Sequence, residues 1–199
     1  MNHAPIRALA LLTTGLLAGA FGYGAANLVP TFHRVPLQMR LEFHTELMQN
    51  NSISMQLTMA AAALSCLALA VVQTGRDRAL AAAATVLVVG SFLITRLGNV
   101  PINHKINAWA VDGAPADYAV ILERWDFFHF LRTGTALAAF ALIIALVVWC
   151  SGEAKREFRR ASEGVGATVD RPRRRGHVAA TGRKPRDAAF RLSRDLDRL

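Results

Sequence analysis

The chain has 199 residues, a formal net charge of +9 and a hydrophobic fraction of 53%. This apolar fraction is unusual for a soluble protein, and because the apolar residues fall in four blocks it indicates an integral membrane protein with one domain. The two cysteines, Cys66 and Cys150, lie in apolar stretches. We therefore expect them to be packing residues, with no disulfide framework, CxxC redox pair or cysteine-based metal site.

The first apolar block, residues 6–29, carries Arg7 as its only charge. A run of roughly 20 apolar residues spans a bilayer as a helix. A secretory signal peptide also begins with a basic residue and an apolar run, and the small residues at 24–26 would suit a signal peptidase. The block is longer than a signal core, and Gly15 and Gly19 at GxxxG spacing permit close helix packing. These features favour a retained helix over a cleaved one.

The next segment has apolar residues at helical spacing between positions 37 and 48. This spacing predicts a short amphipathic helix on the membrane surface or, alternatively, the beginning of the second span. The second span is predicted at 52–74 and the third at 79–97, separated by a tight turn. Arg96 ends the third span, where its long side chain can reach the headgroups.

Turn-forming sequences follow the third span, at Asn-Val-Pro (99–101) and at Asp-Gly (112–113), with a helical turn predicted from 102 to 109. Residues 117–130 are compatible with a helix and run directly into the fourth span, at 129–150. The predicted fold is therefore all-α: a four-helix transmembrane bundle over residues 1–150, with short amphipathic outer segments.

Residues 151–199 form a basic tail with 14 Lys and Arg against 7 Asp and Glu. Its Gly-, Pro- and Arg-rich centre has too little apolar surface to fold alone, so we expect it to be largely disordered. The positive-inside rule places this tail in the cytoplasm, and four spans place the N-terminus there as well. The arginines at 171–175 predict attraction to anionic lipid headgroups, with no nucleic acid expected. The Ala- and Arg-rich composition predicts a bacterial plasma membrane.

Polar side chains concentrate at the outer ends of the spans, where burial in hydrocarbon is costly and needs a reason. Trp125, His129 and Arg132 stand at i, i+4 and i+7, on one face of the fourth helix. An aromatic ring, an imidazole and a guanidinium on one stripe can bind a flat phenolic or anionic molecule, with His as a base and Arg stabilising an oxyanion. The alternative is structural: Arg132 pairs with a helix-end carbonyl or a headgroup phosphate, and Trp125 and His129 belong to an interfacial aromatic belt.

Four histidines fall on the predicted outer side: His33, His44, His104 and His129. No two of them have a metal-binding spacing, and no carboxylate is placed to complete a facial triad. No metal site is predicted.

Two motifs, TRLGNVPIN at 95–103 and WDFFHFLRT at 125–133, are similar to the anthrone oxygenase-like family of small four-helix membrane proteins. The family pattern is Asn-x-Pro-x-Asn after the third helix and Trp-x3-His-x2-Arg entering the fourth. Residues 27–30 and 49–53 also resemble the family. The resemblance covers about residues 8–150 and omits the tail.

Fungal members of this family oxidise anthrones to anthraquinones with molecular oxygen and are not known to need a metal or flavin. The resemblance therefore implies a cofactor-independent oxygenase of a lipophilic phenolic or aromatic compound. It implies that His129 is the base and that Arg132, Asn99 and Asn103 stabilise the enolate oxygen. The remaining substrate contacts that it implies are Trp125, His104 and Asn27. The alternative is a non-enzymatic membrane protein that binds a small molecule or partner at the outer face.

Overall fold

The computed structural model describes the backbone of residues 3–169 and the side chains of residues 3–149 and 152. Within this part of the chain the regular structure is helical and contains no strand. The chain divides into two compact units, residues 1–157 and 158–199, and the first contains the helical bundle. Most of the predicted basic tail lies outside the described residues.

Four helices account for nearly all of the described chain. They are α1 (Ala4–Phe32), α2 (Leu37–Val72), α3 (Gly75–Asp112) and α4 (Tyr118–Val169). Among the described residues, these four are long and apolar enough to cross a membrane. The prediction of an all-α, four-span membrane protein is confirmed, and its environment is a lipid bilayer.

All four helices extend beyond the spans predicted for them, and the extensions of α2 and α3 cover segments for which other structures were predicted. α2 begins at Leu37, so the amphipathic stretch is the beginning of the second helix, as the alternative interpretation had it. α3 continues through Asn99 and Pro101 to Asp112, so the turn predicted at Asn-Val-Pro is wrong. The turn predicted at Asp112–Gly113 is present, because α3 ends there and Gly113 takes a φ of 88°. Positive φ favours glycine over residues with a Cβ.

A π turn explains why α3 does not stop at its proline. Residues Thr95–Asn99 form a five-residue π turn, in which the Val100 N–H donates to the carbonyl of Thr95. Proline lacks an N–H and clashes with the preceding turn of a regular α-helix. The wider turn directly before Pro101 accommodates that defect without ending the helix.

α1 also contains a π turn before a proline. Its π turn, Gly24–Leu28, also stands directly before a Val-Pro pair, and the Val29 N–H donates to the Gly24 carbonyl. The sequences that follow are Val-Pro-x-x-His-Arg at 29–34 and Val-Pro-x-x-His-Lys at 100–105. The first and third helices therefore share a local motif and a local distortion in the same register, a similarity that the sequence analysis did not single out.

The membrane-spanning half of the bundle packs through small side chains. Residues with no exposed surface occur on all four helices: Ala10, Ala62, Cys66, Ala81, Ala84 and Ala139. Small residues allow the helix backbones to approach closely. Gly15 makes such an approach, since a Cβ there would lie 3.1 Å from the Phe140 ring, whereas Gly19 has open space around it.

The bundle continues beyond the thickness of a bilayer. The predicted third span, 79–97, is close to the hydrocarbon thickness at about 1.5 Å per residue, and α3 continues beyond it to Asp112. A second apolar core lies beyond it on the predicted outer side and includes Phe32, Leu41, Ile106 and Trp125. The segments at this end of the helices thus share a folded apolar core of their own.

Candidate functional site

A cavity of about 350 Å³ lies at the level of the two π turns. All four helices line it, through residues between 20 and 32, 47 and 59, 95 and 107, and 125 and 132. Its volume falls in the range of small-molecule sites. Polar side chains make up half of the lining residues, but aromatic, aliphatic and thioether groups provide most of the wall surface, as expected of a site for a largely apolar ligand.

His129 and Arg132 are paired at the wall of this cavity. Both are buried, and Arg132 Nη2 lies 2.8 Å from His129 Nδ1. A guanidinium can only donate, so Nδ1 accepts, and a neutral imidazole then carries its proton on Nε2. Arg132 also donates to Thr95 Oγ1 at 3.4 Å, and its guanidinium lies 4.4 Å from the Phe21 ring centroid. Arg132 is thus held inside the bundle by protein groups.

Trp125 stacks on the His129 ring, with centroids 5.1 Å apart and planes 19° apart. Its indole N–H donates to Asn103 Oδ1 at 2.7 Å. Because the indole nitrogen is a donor only, this bond fixes the orientation of the Asn103 amide, whose nitrogen faces Met48 Sδ at 3.2 Å. One amide therefore positions the aromatic wall of the cavity.

His44 joins the same network, although the sequence analysis did not include it among the site residues. Its Nε2 lies 3.3 Å from Asn103 Oδ1, and because that oxygen accepts, the imidazole donates. The ring is fully buried, stacked on Phe32 and edge-on to Trp125. The sequence placed His44 on the outer side, but its contact with Trp125 depends on the packing of α2 against α4.

Of the three remaining predicted residues, one lines the cavity and two do not. His104 is exposed at the rim of the cavity. Asn99 is fully buried and does not line the cavity; its Nδ2 donates to the Trp125 carbonyl at 3.0 Å and so joins α3 to α4. Asn27 is exposed, bonds the Tyr23 carbonyl and also lies off the cavity wall. Of the seven predicted residues, the cavity gathers five: His104, Asn103, Trp125, His129 and Arg132.

Two glycines in the π turns let α4 approach the neighbouring backbones. A Cβ at Gly24 would lie 2.9 Å from the His129 ring, and one at Gly98 would lie 2.5 Å from Phe128. The Nε2 edge of His129 therefore faces the backbone of α1, where it makes no hydrogen bond of good geometry with the described residues. The π turns and their glycines position the imidazole.

A polar cluster that contains a buried ion pair lies behind the aromatic wall. Asp126 binds Arg40 Nη2 at 3.2 Å and His33 Nε2 at 2.8 Å, and the Arg40 guanidinium lies 5.3 Å from the Phe32 centroid. Asp126 and Arg40 are both more than nine-tenths buried. The cluster ties the α1–α2 connection and the start of α2 to α4, next to the residues that form the site.

These observations define a small helical membrane protein with a ligand-sized cavity at one end of its spans. The family model described as anthrone oxygenase matches residues 44–142. The chain belongs to an anthrone oxygenase-like family. The matched region runs from His44 through α3 into α4 and includes the whole Trp-x3-His-x2-Arg motif. No curated protein and no solved structure gave a significant match to the chain.

Proposed function

We propose that this protein is a cofactor-independent oxygenase that converts a methylene group between aromatic rings into a ketone, as anthrones become anthraquinones. The observation that carries the proposal is the His129–Arg132 pair at the wall of a ligand-sized cavity. Family membership supports the reaction class without naming the substrate.

The cavity suits a flat aromatic compound. Phe21, Met55 and Met59 provide apolar walls, and Trp125 provides an aromatic one. Rings pack well against aromatic and thioether side chains. Trp125 is itself rigidly held by Asn103, so the wall requires little reorganisation when a ligand binds.

The chemistry follows from the acidity of such a methylene. Removal of one proton gives a carbanion whose charge is delocalised onto the ring carbonyl oxygen. Arg132 stabilises that enolate oxygen, and His129 accepts the proton. The carbanion carbon then bonds to O2, which is reduced to a hydroperoxide on taking up a proton. Loss of the second C–H proton breaks the O–O bond and releases water, so that CH2 and O2 become C=O and H2O.

The observed hydrogen bond assigns Arg132 a second role. In the free protein, Arg132 donates to His129 Nδ1 and occupies the only lone pair of the neutral ring. The carbonyl oxygen of a bound substrate competes with Nδ1 for the guanidinium, and its hydrogen bond to Arg132 strengthens as charge develops on the oxygen during proton removal. Substrate binding at Arg132 would therefore release Nδ1 and make His129 available as the base.

The same bond also favours the alternative, a protein that binds an aromatic molecule without turning it over. An imidazole whose lone pair stays bound to Arg132 acts only as an N–H donor. Catalysis and binding thus differ in whether His129 accepts a proton.

Oxygen consumption with a simple anthrone tests the proposal, using purified protein in lipid nanodiscs. Replacement of a general base removes about 100-fold or more of the rate, so we expect His129→Gln to lose at least that much. Product binding, followed by quenching of tryptophan fluorescence, should persist in the same variant. His3→Ala, a histidine at the start of α1 and away from the cavity, serves as the control. Wild-type protein that binds anthraquinone but consumes no oxygen would establish the binding role instead.

The proposed setting is a bacterial plasma membrane, with both termini in the cytoplasm and the cavity on the opposite side. Arg76 and Arg78 lie in the first turn of α3, directly after its short connection to α2, and Lys155 and Arg156 follow the fourth span. Basic residues close to the ends of spans favour the cytoplasmic side. The tail arginines at 171–175 would then face anionic headgroups.

A further inference from the structure

Exposed polar side chains flank the cavity on α2 and α3. On α2 these are Gln49, Ser52 and Gln56, at i, i+3 and i+7, and on α3 they are Arg96 and His104. All five are exposed and line the cavity. Residues at these spacings lie on one side of a helix.

The orientation of the α2 stripe follows from another glutamine. Gln38 lies 11 residues before Gln49, which is close to three helical turns, and so occupies the same side of α2. Its Nε2 donates to the Ala110 carbonyl of α3 at 3.4 Å. The stripe therefore faces α3, and the cavity opens laterally between α2 and α3.

Arg96 is the cation at this opening. It lies at the end of the predicted third span, 79–97, whose length is close to the hydrocarbon thickness, so it lies at the outer edge of the hydrocarbon. Within the described part of the chain, no hydrogen bond, ion pair or ring contact involves its side chain. Arg40, by contrast, is bound by the buried carboxylate of Asp126. Arg96 is thus available to a ligand.

The opening of the cavity is polar and its interior is apolar, so together they suit a ligand with one polar end and one apolar end. The interior offers Phe21, Met59 and Trp125 to a ring system, whereas the opening offers a guanidinium and amides. A guanidinium matches the geometry of a carboxylate with two parallel hydrogen bonds. We propose that Arg96 binds the acidic group of an aromatic acid whose rings occupy the cavity, so that it selects anionic over neutral substrates. This proposal rests on the cavity being the substrate site of the proposed oxygenase.

A phosphate of a lipid headgroup offers Arg96 the same anionic oxygens from another source. The two sources differ in where the rings lie: the aromatic acid fills the cavity, whereas a headgroup contact leaves it free. The test therefore has to vary the ligand and the lipid separately.

The test measures binding of anthracene-2-carboxylate and of its neutral analogue anthracene-2-methanol to protein in phosphatidylcholine nanodiscs, through quenching of tryptophan fluorescence. Wild-type protein should bind the carboxylate at least tenfold more tightly, and Arg96→Gln should abolish that preference while leaving the affinity for the alcohol unchanged. Arg96→Lys should retain part of it. Arg34→Gln is the matched control, because it removes one exposed outer cation away from the cavity.

Three results would overturn the proposal. One is a preference that survives in Arg96→Gln, and another is an equal loss in Arg34→Gln, which would indicate bulk electrostatic attraction. The third is a wild-type preference that disappears in nanodiscs containing phosphatidylglycerol, which would assign Arg96 to the headgroups. These binding measurements do not depend on catalytic turnover. Carboxylate-selective binding without oxygen consumption would refute the oxygenase alone, and oxygen consumption without selectivity would refute the role of Arg96 alone.

Discussion

A single methyl group at either π turn would meet an aromatic side chain of α4. At Gly98 the added Cβ would approach Phe128 Cγ, Cδ1 and Cδ2, at 2.5 to 2.8 Å. These atoms belong to the near edge of the ring, next to the Phe128 backbone, so the ring cannot swing clear of them. The absence of a side chain at this residue therefore sets the distance between α3 and α4 beside the site.

Replacing Gly98 by alanine should destabilise the protein. Overpacking of a tight contact costs about 1–3 kcal/mol. For a chain of this size, each kcal/mol corresponds to a Tm change of about 2–4 °C, so thermal unfolding in detergent should show a loss of several degrees. Gly90→Ala, on the same helix with open space at its Cβ, should be neutral or slightly stabilising. Equal Tm values for the two variants would contradict the packing argument, and Phe128→Leu should rescue Gly98→Ala.

The sequence predicts the relative positions of some site residues but not of others. Trp125, His129 and Arg132 share one helix, so the helical period alone puts them on one face. Asn103 and His44 reach Trp125 from other helices, at contacts that depend on how three helices pack. Periodicity carries no information about such contacts between helices.

The two π turns are the distinctive elements of the fold. Each adds one residue to a helix that is otherwise regular, and π turns of this kind occur frequently at functional sites. Asn-Val-Pro was predicted as a turn because proline usually ends a helix. The prediction failed because a wide turn directly before Pro101 accommodates the missing N–H, and a local sequence pattern does not distinguish that arrangement from a helix end.

Deletion of one residue distinguishes a π turn from the α-helix around it. Removing Leu97, which is exposed within the π turn, should restore a regular helix and leave the faces on both sides in place. Removing Val86, equally exposed within the α-helical part, should rotate everything that follows by about 100°. Size-exclusion chromatography should show monodisperse protein for the first deletion and aggregated or absent protein for the second. Similar behaviour of both deletions would argue against an accommodated extra residue.

At the scale of the whole molecule, four apolar helices were predictable because each contains a long uncharged block. The continuation of these helices beyond the bilayer was less predictable. The outer segments contain polar residues and prolines, which are typical of loops, but they build a second core that includes Ile106 and Trp109. Their helical structure depends on that shared burial.

Sided cysteine labelling tests the proposed orientation, in a chain without its two native cysteines. The connection between α3 and α4 contains exposed Ala116, and the one between α2 and α3 contains exposed Thr74. Because Arg76 and Arg78 favour the cytoplasm, a membrane-impermeant maleimide on intact cells should label Ala116→Cys but not Thr74→Cys. Both should react after lysis. Labelling of Thr74→Cys alone in intact cells would reverse the orientation.

The proposed lateral opening between α2 and α3 determines from where the reactants enter the cavity. Because the proposed opening lies at the end of the predicted third span, it would draw its contents from lipid rather than from bulk water. Fused aromatic rings and dioxygen are both apolar and partition into hydrocarbon, so the bilayer concentrates the two reactants of the proposed reaction in the same thin layer. The membrane then acts as a shared reservoir, and the rate of such an enzyme would follow the amounts dissolved in lipid instead of the aqueous concentrations.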